Sequence, residues 1–230
     1  MKKQDLWLIT AKTNIHVGNE NTSSYGLIDK AIQRDVLTKL PCINSSSLKG
    51  ALNEHATCEK LLGSDDRIKV FGVDKTDTTK DTSKGLYTFF DAQLLLLPIP
   101  SDKTLYELIT SEGVLKRFED KAKSFGIELS VENVKVELSK MGYTFSIKSD
   151  EEFIEYCSDY NLPIIARNKL ENGLSINLWY EQVLPAESVF YTMIDNKGDV
   201  VLTEKLDHRI VQIGANATIG YGYCKFTNLK

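Results

Sequence analysis

Three stretches of the chain carry residue types able to handle a polyanion. The first is Gly214 to Gly222, GANATIGYG. Its three glycines let the backbone come close to a ligand and expose N–H groups to phosphate oxygens. It does not follow an N-terminal strand as a dinucleotide loop does, and no Walker lysine follows it, so a nucleotide cofactor is not expected. A plain glycine-rich turn between two strands is the competing reading. The second is Ser45 to Gly50, SSSLKG. Helix N-terminal amides attract phosphate, and Lys49 would place a cation in a first turn where the helix dipole disfavours it. The third runs from His16-Val17-Gly18 to Gly26-Leu27-Ile28-Asp29-Lys30 and on to Arg34. Its carboxylate, Asp29, follows a polar glycine-bearing loop. Such a group can accept a proton or hold a hydrated Mg2+ ion, and the residue types leave both roles open. His16 could assist as acid, base or phosphate contact, and Glu181 in Trp179-Tyr180-Glu181 is a further carboxylate. Taken singly, each has an ordinary structural explanation.

The elements that must position these groups are a mixture of strands and helices. Residues 5–13 partly alternate and read as a strand. Residues 17–26 read as a loop. The serines at 45–47 offer an N-cap to a helix whose Leu48, Leu52, Ala56 and Leu61 recur at helical spacing, with Gly63 as its stop. Residues 73–85, VDKTDTTKDTSKG, read as an exposed loop. A strand is expected over 86–98, an amphipathic helix over 111–125 and a short acid-led helix over 149–157. Two apolar runs around NKLENG make residues 162–179 a β-hairpin. Strands near 188–194, 209–213 and 223–227 complete an α+β chain that reads as a single domain over 1–230. No element is read over residues 126–148.

Composition sets limits more than it directs. Hydrophobic residues make up 42% of 230, enough for a sizeable core. No apolar run approaches the roughly 20 residues that span a bilayer, and no signal peptide is read, so a cytoplasmic protein without a membrane partner is expected. The four cysteines and three histidines are scattered without a CxxC pair, which argues against a zinc site and for buried thiols. Net charge is −4, but residues 1–60 hold eight Lys+Arg against six Asp+Glu and the remainder 20 against 26. A chain that grips RNA along one groove need not be basic throughout.

In order, HVG, GLIDKAIQRD, SLKGAL, FFDAQLLLLPIP, VLKRFED, WYEQVLPAESVFY and VQIGANATIGYG resemble the backbone subunit of type III-B (Cmr-module) CRISPR effector complexes, in the RAMP superfamily. Ser45 or Ser46 stands where that family has a glycine before SLKG, and Asn53 where relatives often carry a basic residue. The resemblance implies a ferredoxin-like, RRM-type core with a helical insertion over about 101–160 and a protruding hairpin, the thumb, over about 161–180. It implies several copies of the chain in a helical filament on one crRNA, beside other Cmr-module subunits. Ser47, Lys49, Gly50, Arg34, Gly214, Asn216, Thr218, Gly220 and Gly222 would contact RNA. The thumb would flip a target-RNA nucleotide at each repeat, and the RNA would be cut beside Asp29, leaving a cyclic phosphate with Mg2+ or another divalent metal as cofactor. His16 is the weaker catalytic candidate and Glu181 the weakest. Competing readings are the equivalent Csm-type subunit, a scaffold that binds RNA without cutting it, and a stand-alone guide-processing nuclease with a histidine base.

Overall fold

The computed structural model describes residues 3–18, 28–73, 83–197 and 202–229. Most of the loop expected at 17–26 and of that at 73–85 therefore lies outside the described residues. In chain order the strands are β1 (Lys3–Ala11), β2 (Cys42–Ile43), β3 (Tyr87–Phe89), β4 (Ala92–Ile99), β5 (Glu107–Ser111), β6 (Phe145–Lys148), β7 (Ile164–Glu171), β8 (Leu174–Gln182), β9 (Val189–Asn196), β10 (Ile210–Gln212) and β11 (Tyr223–Leu229). The helices are α1 (Ser45–Cys58), α2 (Ser64–Phe71), α3 (Glu112–Ser124), α4 (Val131–Lys140), α5 (Asp150–Tyr156) and α6 (Leu202–Leu206).

The main sheet runs β10-β11-β1-β9-β4-β5-β6, with β2 on β4 and β3 on β9. Its centre, β11-β1-β9-β4, is antiparallel throughout. In chain order these four strands occupy the spatial order fourth, first, third, second. Helices α1 and α2 lie between the first and second, and α6 between the third and fourth. Every residue of β1 from Asp5 to Ala11 is buried. Both faces of the strand are thus covered, which is why its sequence reads as an almost continuous apolar run and not as a clean alternation. The Trp7 and Phe226 rings meet edge-on with centroids 6.2 Å apart, and Phe118 of α3 meets Tyr191 of β9 with centroids 4.1 Å apart, tying one core together.

Several boundaries differ from the sequence reading for local reasons. The strand expected over 86–98 is two strands, β3 and β4, separated by Phe90-Asp91. Pro98 lies inside β4, but beyond Leu96 that strand pairs only with β5, so a missing N–H costs no ladder bond on the free side. Helix α1 is preceded by Asn44, whose side chain makes no cap; the Ser45 N–H instead donates to Asp91 Oδ1 at 2.6 Å. It ends at Cys58 because Lys60 takes a left-handed φ of 51°, and Gly63 is the residue that opens α2. The segment 101–160 holds two strands as well as three helices, and β5 pairs with β6 in parallel. The two helices expected there are α3, capped by Ser111, and α5, opened by a Ser149–Glu152 capping box.

Strands β7 and β8 form a two-stranded hairpin of their own. Asn172 and Gly173, at φ 51° and 81°, make its turn. That pair suits the type I′ geometry that matches strand twist. Each residue from Asn168 to Leu178 is exposed. Of the cysteines, Cys42, Cys157 and Cys224 are buried and Cys58 is exposed. Among the described residues no helix is long and apolar enough to cross a membrane.

Candidate nucleic-acid interface

The segment carrying Asp29 lies along the root of the hairpin, joined to it by an isolated parallel bridge between Lys30 and Glu181. The Asp29 and Lys30 N–H groups both donate to the Tyr180 carbonyl, at 3.0 and 3.1 Å. The Tyr180 N–H donates back to Asp29 Oδ2 at 2.7 Å. Further along, the Gln182 N–H donates to the Lys30 carbonyl at 2.9 Å and the Ile32 N–H to Gln182 Oε1 at 3.3 Å. Asp29 is exposed, with one carboxylate oxygen held at the edge of β8.

Beneath it His16 and Glu181 are buried, at 3% and 1% exposure. His16 Nδ1 lies 2.7 Å from the Gln182 carbonyl, which only accepts, so Nδ1 carries the proton of that bond. A buried carboxylate is costly, by several kcal/mol, unless paired and hydrogen-bonded. Glu181 is surrounded accordingly. Asn216 Nδ2 donates to Oε2 at 2.8 Å, Arg167 Nε lies 3.3 Å from the same oxygen, and Lys30 Nζ and His16 Nε2 lie 3.6 and 3.8 Å from Oε1.

The glycine-rich loop is fastened to the same place. The Ala215 N–H donates to the His16 carbonyl at 2.9 Å and the Gly222 N–H to the Asn14 carbonyl at 2.8 Å. A Cβ on Gly214 would stand 2.3 Å from the His16 carbonyl oxygen, and one on Gly222 2.0 Å from that of Ile213. Glycine is demanded there by backbone approach inside the protein. Gly220, at φ 85°, has open space around it, and Thr218 is exposed.

Gln33 connects this centre to the start of α1. Its Nε2 donates to Gly18 O at 3.2 Å and Ser47 Oγ at 3.1 Å, and its Oε1 accepts from the Asn44 N–H at 2.8 Å. Lys49 is half-buried and Gly50 exposed on that helix. Any phosphate drawn to this N-terminus meets the Asp91 carboxylate already on the Ser45 amide. Arg34 is turned inward, donating to the carbonyls of Lys39 and Cys157 at 2.8 Å each and to Asp159 Oδ1 at 2.7 Å. Burial pushes Asp159 up, but its bonds from Gln182 and Arg34 outweigh this and hold it below the ordinary carboxylate value. Asp35 is likewise lowered despite its burial, through Thr38, Arg117 and Leu37.

The fold thus gathers Asp29, His16, Glu181, Arg34, Gly214 and Asn216 around the hairpin root, with Ser47 reached from it through Gln33. Lys30, Arg167, Tyr180, Gln182 and Asp159 belong to the same centre, Asp91 to the start of α1, and none was among the sequence candidates. Lys30 and Tyr180 had a signal, as immediate neighbours of Asp29 and Glu181. Asp91 and Asp159 had none, because their contacts are set by the tertiary fold. Among the described residues no three His, Cys, Asp or Glu side chains come together in a metal-holding group.

The RAMP superfamily model matches residues 8–225 of the chain. A curated relative, the CRISPR system Cmr endoribonuclease Cmr4 of Pyrococcus furiosus, is 25% identical over 264 residues, covering 88% of each chain. A chain of the type III-B Cmr-beta complex bound to cognate target RNA superposes with a TM-score of 0.76 at 21% identity, over 98% of this chain and 97% of that one. Oligomeric Cmr4 from Pyrococcus furiosus gives 0.74 at 22% identity, over 100% and 98%. These superpositions establish a shared α+β fold.

Proposed function

The chain belongs to the RAMP superfamily, and from that premise we propose that it is the repeated backbone subunit of a type III-B CRISPR effector complex, holding crRNA and cutting paired target RNA. The observation that carries the reading is the junction of Asp29 with the hairpin root. An exposed carboxylate is bonded to Tyr180 at the base of an outstanding hairpin that exposes Leu170, Leu174, Ile176 and Leu178. Side chains of that kind can wedge between stacked bases, as apolar side chains that kink duplexes do. The relative named an endoribonuclease and the structures of a target-bound complex and of an oligomer agree with this reading. The order β11-β1-β9-β4, with helices following β1 and β9 in the chain, supports a ferredoxin-like core, and the complex would work in the cytoplasm.

RNA brings its own nucleophile, the 2′-OH. A nucleotide flipped out of the stack leaves A-form geometry, so that its 2′ oxygen can line up with phosphorus and the departing 5′ oxygen. Asp29 takes the 2′-OH proton, the O2′–P bond forms, the P–O5′ bond breaks, and water protonates the 5′ oxygen. A 2′,3′-cyclic phosphate remains. His16 and Glu181 act from below by holding the hairpin root and the glycine-rich loop. A divalent metal fits here only as a partner of Asp29 and RNA phosphate together, since one carboxylate makes no cage; bound so, it would neutralise phosphate charge.

A second reading, a scaffold that binds RNA without cutting, is favoured by the Tyr180 N–H bond, which gives Asp29 a structural use. Labelled RNA complementary to the guide, mixed with assembled complex, separates the two. Evenly spaced cuts in matched RNA and none in unmatched RNA support the backbone-nuclease reading. Tight binding without cuts supports the scaffold.

A further inference from the structure

Resting on the reading above, we infer that Lys30 and Arg167 form a clamp for the target phosphodiester next to Asp29, with Glu181 as the buried group that aims them. Two permanent cations face a single buried carboxylate. Arg167 Nε is 3.3 Å from Glu181 Oε2 and Lys30 Nζ 3.6 Å from Oε1. One cation, with the Asn216 amide at 2.8 Å, would satisfy the carboxylate; the second leaves a formal surplus of +1.

The two cations are also held at their far ends. The guanidinium of Arg167 lies over the Tyr221 ring at 5.3 Å and the ammonium of Lys30 over the Trp179 ring at 5.2 Å. Arg167 meets Glu181 through Nε, and among the described residues its two terminal nitrogens have no hydrogen-bond partner. Those nitrogens are the fork that fits two phosphate oxygens, while the half-exposed Lys30 ammonium adds a point charge.

The chemistry selects a phosphodiester over a free phosphate. Counting the adjacent Asp29, the four charged groups sum to zero. A monoanion is accommodated there more readily than a dianion set against two carboxylates. The rings of Tyr221 and Trp179 supply flat surfaces beside the clamp on which bases can stack. In the cut itself the clamp neutralises the charge that builds on the phosphorane oxygens while Asp29 takes the proton.

The test uses assembled, guide-loaded complex in single-turnover cutting at fixed Mg2+, with Lys30→Gln, Arg167→Gln, Arg167→Lys and Asp29→Ala. Matched RNA carries either oxygen or sulfur at a non-bridging position of the scissile phosphate. Each Gln variant is expected to cut about 10²-fold more slowly, the scale of losing one aimed donor. It should also show a smaller sulfur effect than wild type, which a merely structural loss would not produce. Arg167→Lys keeps the charge opposite Glu181 and hence assembly, but loses the fork; it should cut several-fold slower with an altered sulfur effect. If the Gln variants do not assemble, Arg167→Lys decides alone. Wild-type rates and sulfur effects in the variants that assemble overturn the clamp. If Asp29→Ala is inactive in the same series, the clamp alone has failed and the nuclease reading stands. A wild-type complex that cuts nothing overturns both.

Discussion

Asp29 and Tyr180 hold each other through a reciprocal pair of hydrogen bonds. The Tyr180 N–H donates to the Asp29 carboxylate at 2.7 Å, and the Asp29 N–H donates to the Tyr180 carbonyl at 3.0 Å. The exposed carboxylate and the hairpin therefore move as one piece. On the proposed function, a hairpin lodged in a duplex would carry Asp29 with it and so set where along the RNA the carboxylate sits.

Shortening the hairpin tests that coupling. Arg167 and Trp179 are direct cross-strand partners, so residues 168–178 can be replaced by Asn-Gly as a type I′ turn. The root, with Glu181 and Tyr180, is retained, and the removed residues are all exposed. The thermal midpoint should change little, while the evenly spaced cleavage products should blur or vanish on a gel. A sharp wild-type ladder would show that spacing is set elsewhere.

The glycines of the loop should separate into two classes. Gly214→Ala puts a methyl 2.3 Å from the His16 carbonyl at φ 87°, and Gly222→Ala one 2.0 Å from Ile213 O at φ 79°. Backbone must move in both, and loss of folded protein in a chemical melt is expected. Gly220→Ala meets no atom within 4 Å and bears only its left-handed φ, worth about 1–2 kcal/mol. Folded Gly220→Ala should still load guide RNA, whereas Gly220→Val, with a bulkier side chain in the open space, should bind it more weakly.

Acid should loosen the hairpin root through Asp159. Its folded pKa lies below the unfolded value of 3.8, so its stabilisation is complete above that value and is lost as pH falls through the folded pKa. Thermal melts of wild type and Asp159→Asn should differ most well above pH 3.8 and converge as the pH falls below 3.8 through the folded pKa. A constant gap across that range would show that the bonds to Arg34 and Gln182 do not depend on the charge.

The hairpin was legible because Asn172-Gly173 sits between two apolar runs, although β7 continues through Lys169 and Leu170, which the sequence reading had assigned to the turn. Asp29 stood out because a polar loop delivers it into an apolar alternation. Helix α1 was found, but its end was not: Lys60, a residue without turn preference, takes the left-handed position that Gly63 was expected to supply. Strand β6 was not read from the sequence because it is a four-residue, largely half-exposed edge strand whose parallel pairing with β5 leaves no alternating pattern. The Glu181 centre could not be read either. Its partners come from residues 16, 30, 167 and 216, and only the fold brings them to one carboxylate.

The central claim is tested most directly by Asp29→Asn beside Asp29→Ala in assembled complex. Asparagine keeps an oxygen to accept the Tyr180 N–H, while alanine gives up that bond at a cost of about 0.5–1.5 kcal/mol. Guide loading, stacking of copies and target binding should survive in both. A time course with labelled complementary RNA and Mg2+ should show cutting reduced by ~10²–10⁴ in each, the scale of losing a positioned proton acceptor. An Asp29→Asn complex that yields the wild-type ladder at a comparable rate would contradict the account and leave Asp29 as the strut of the hairpin root.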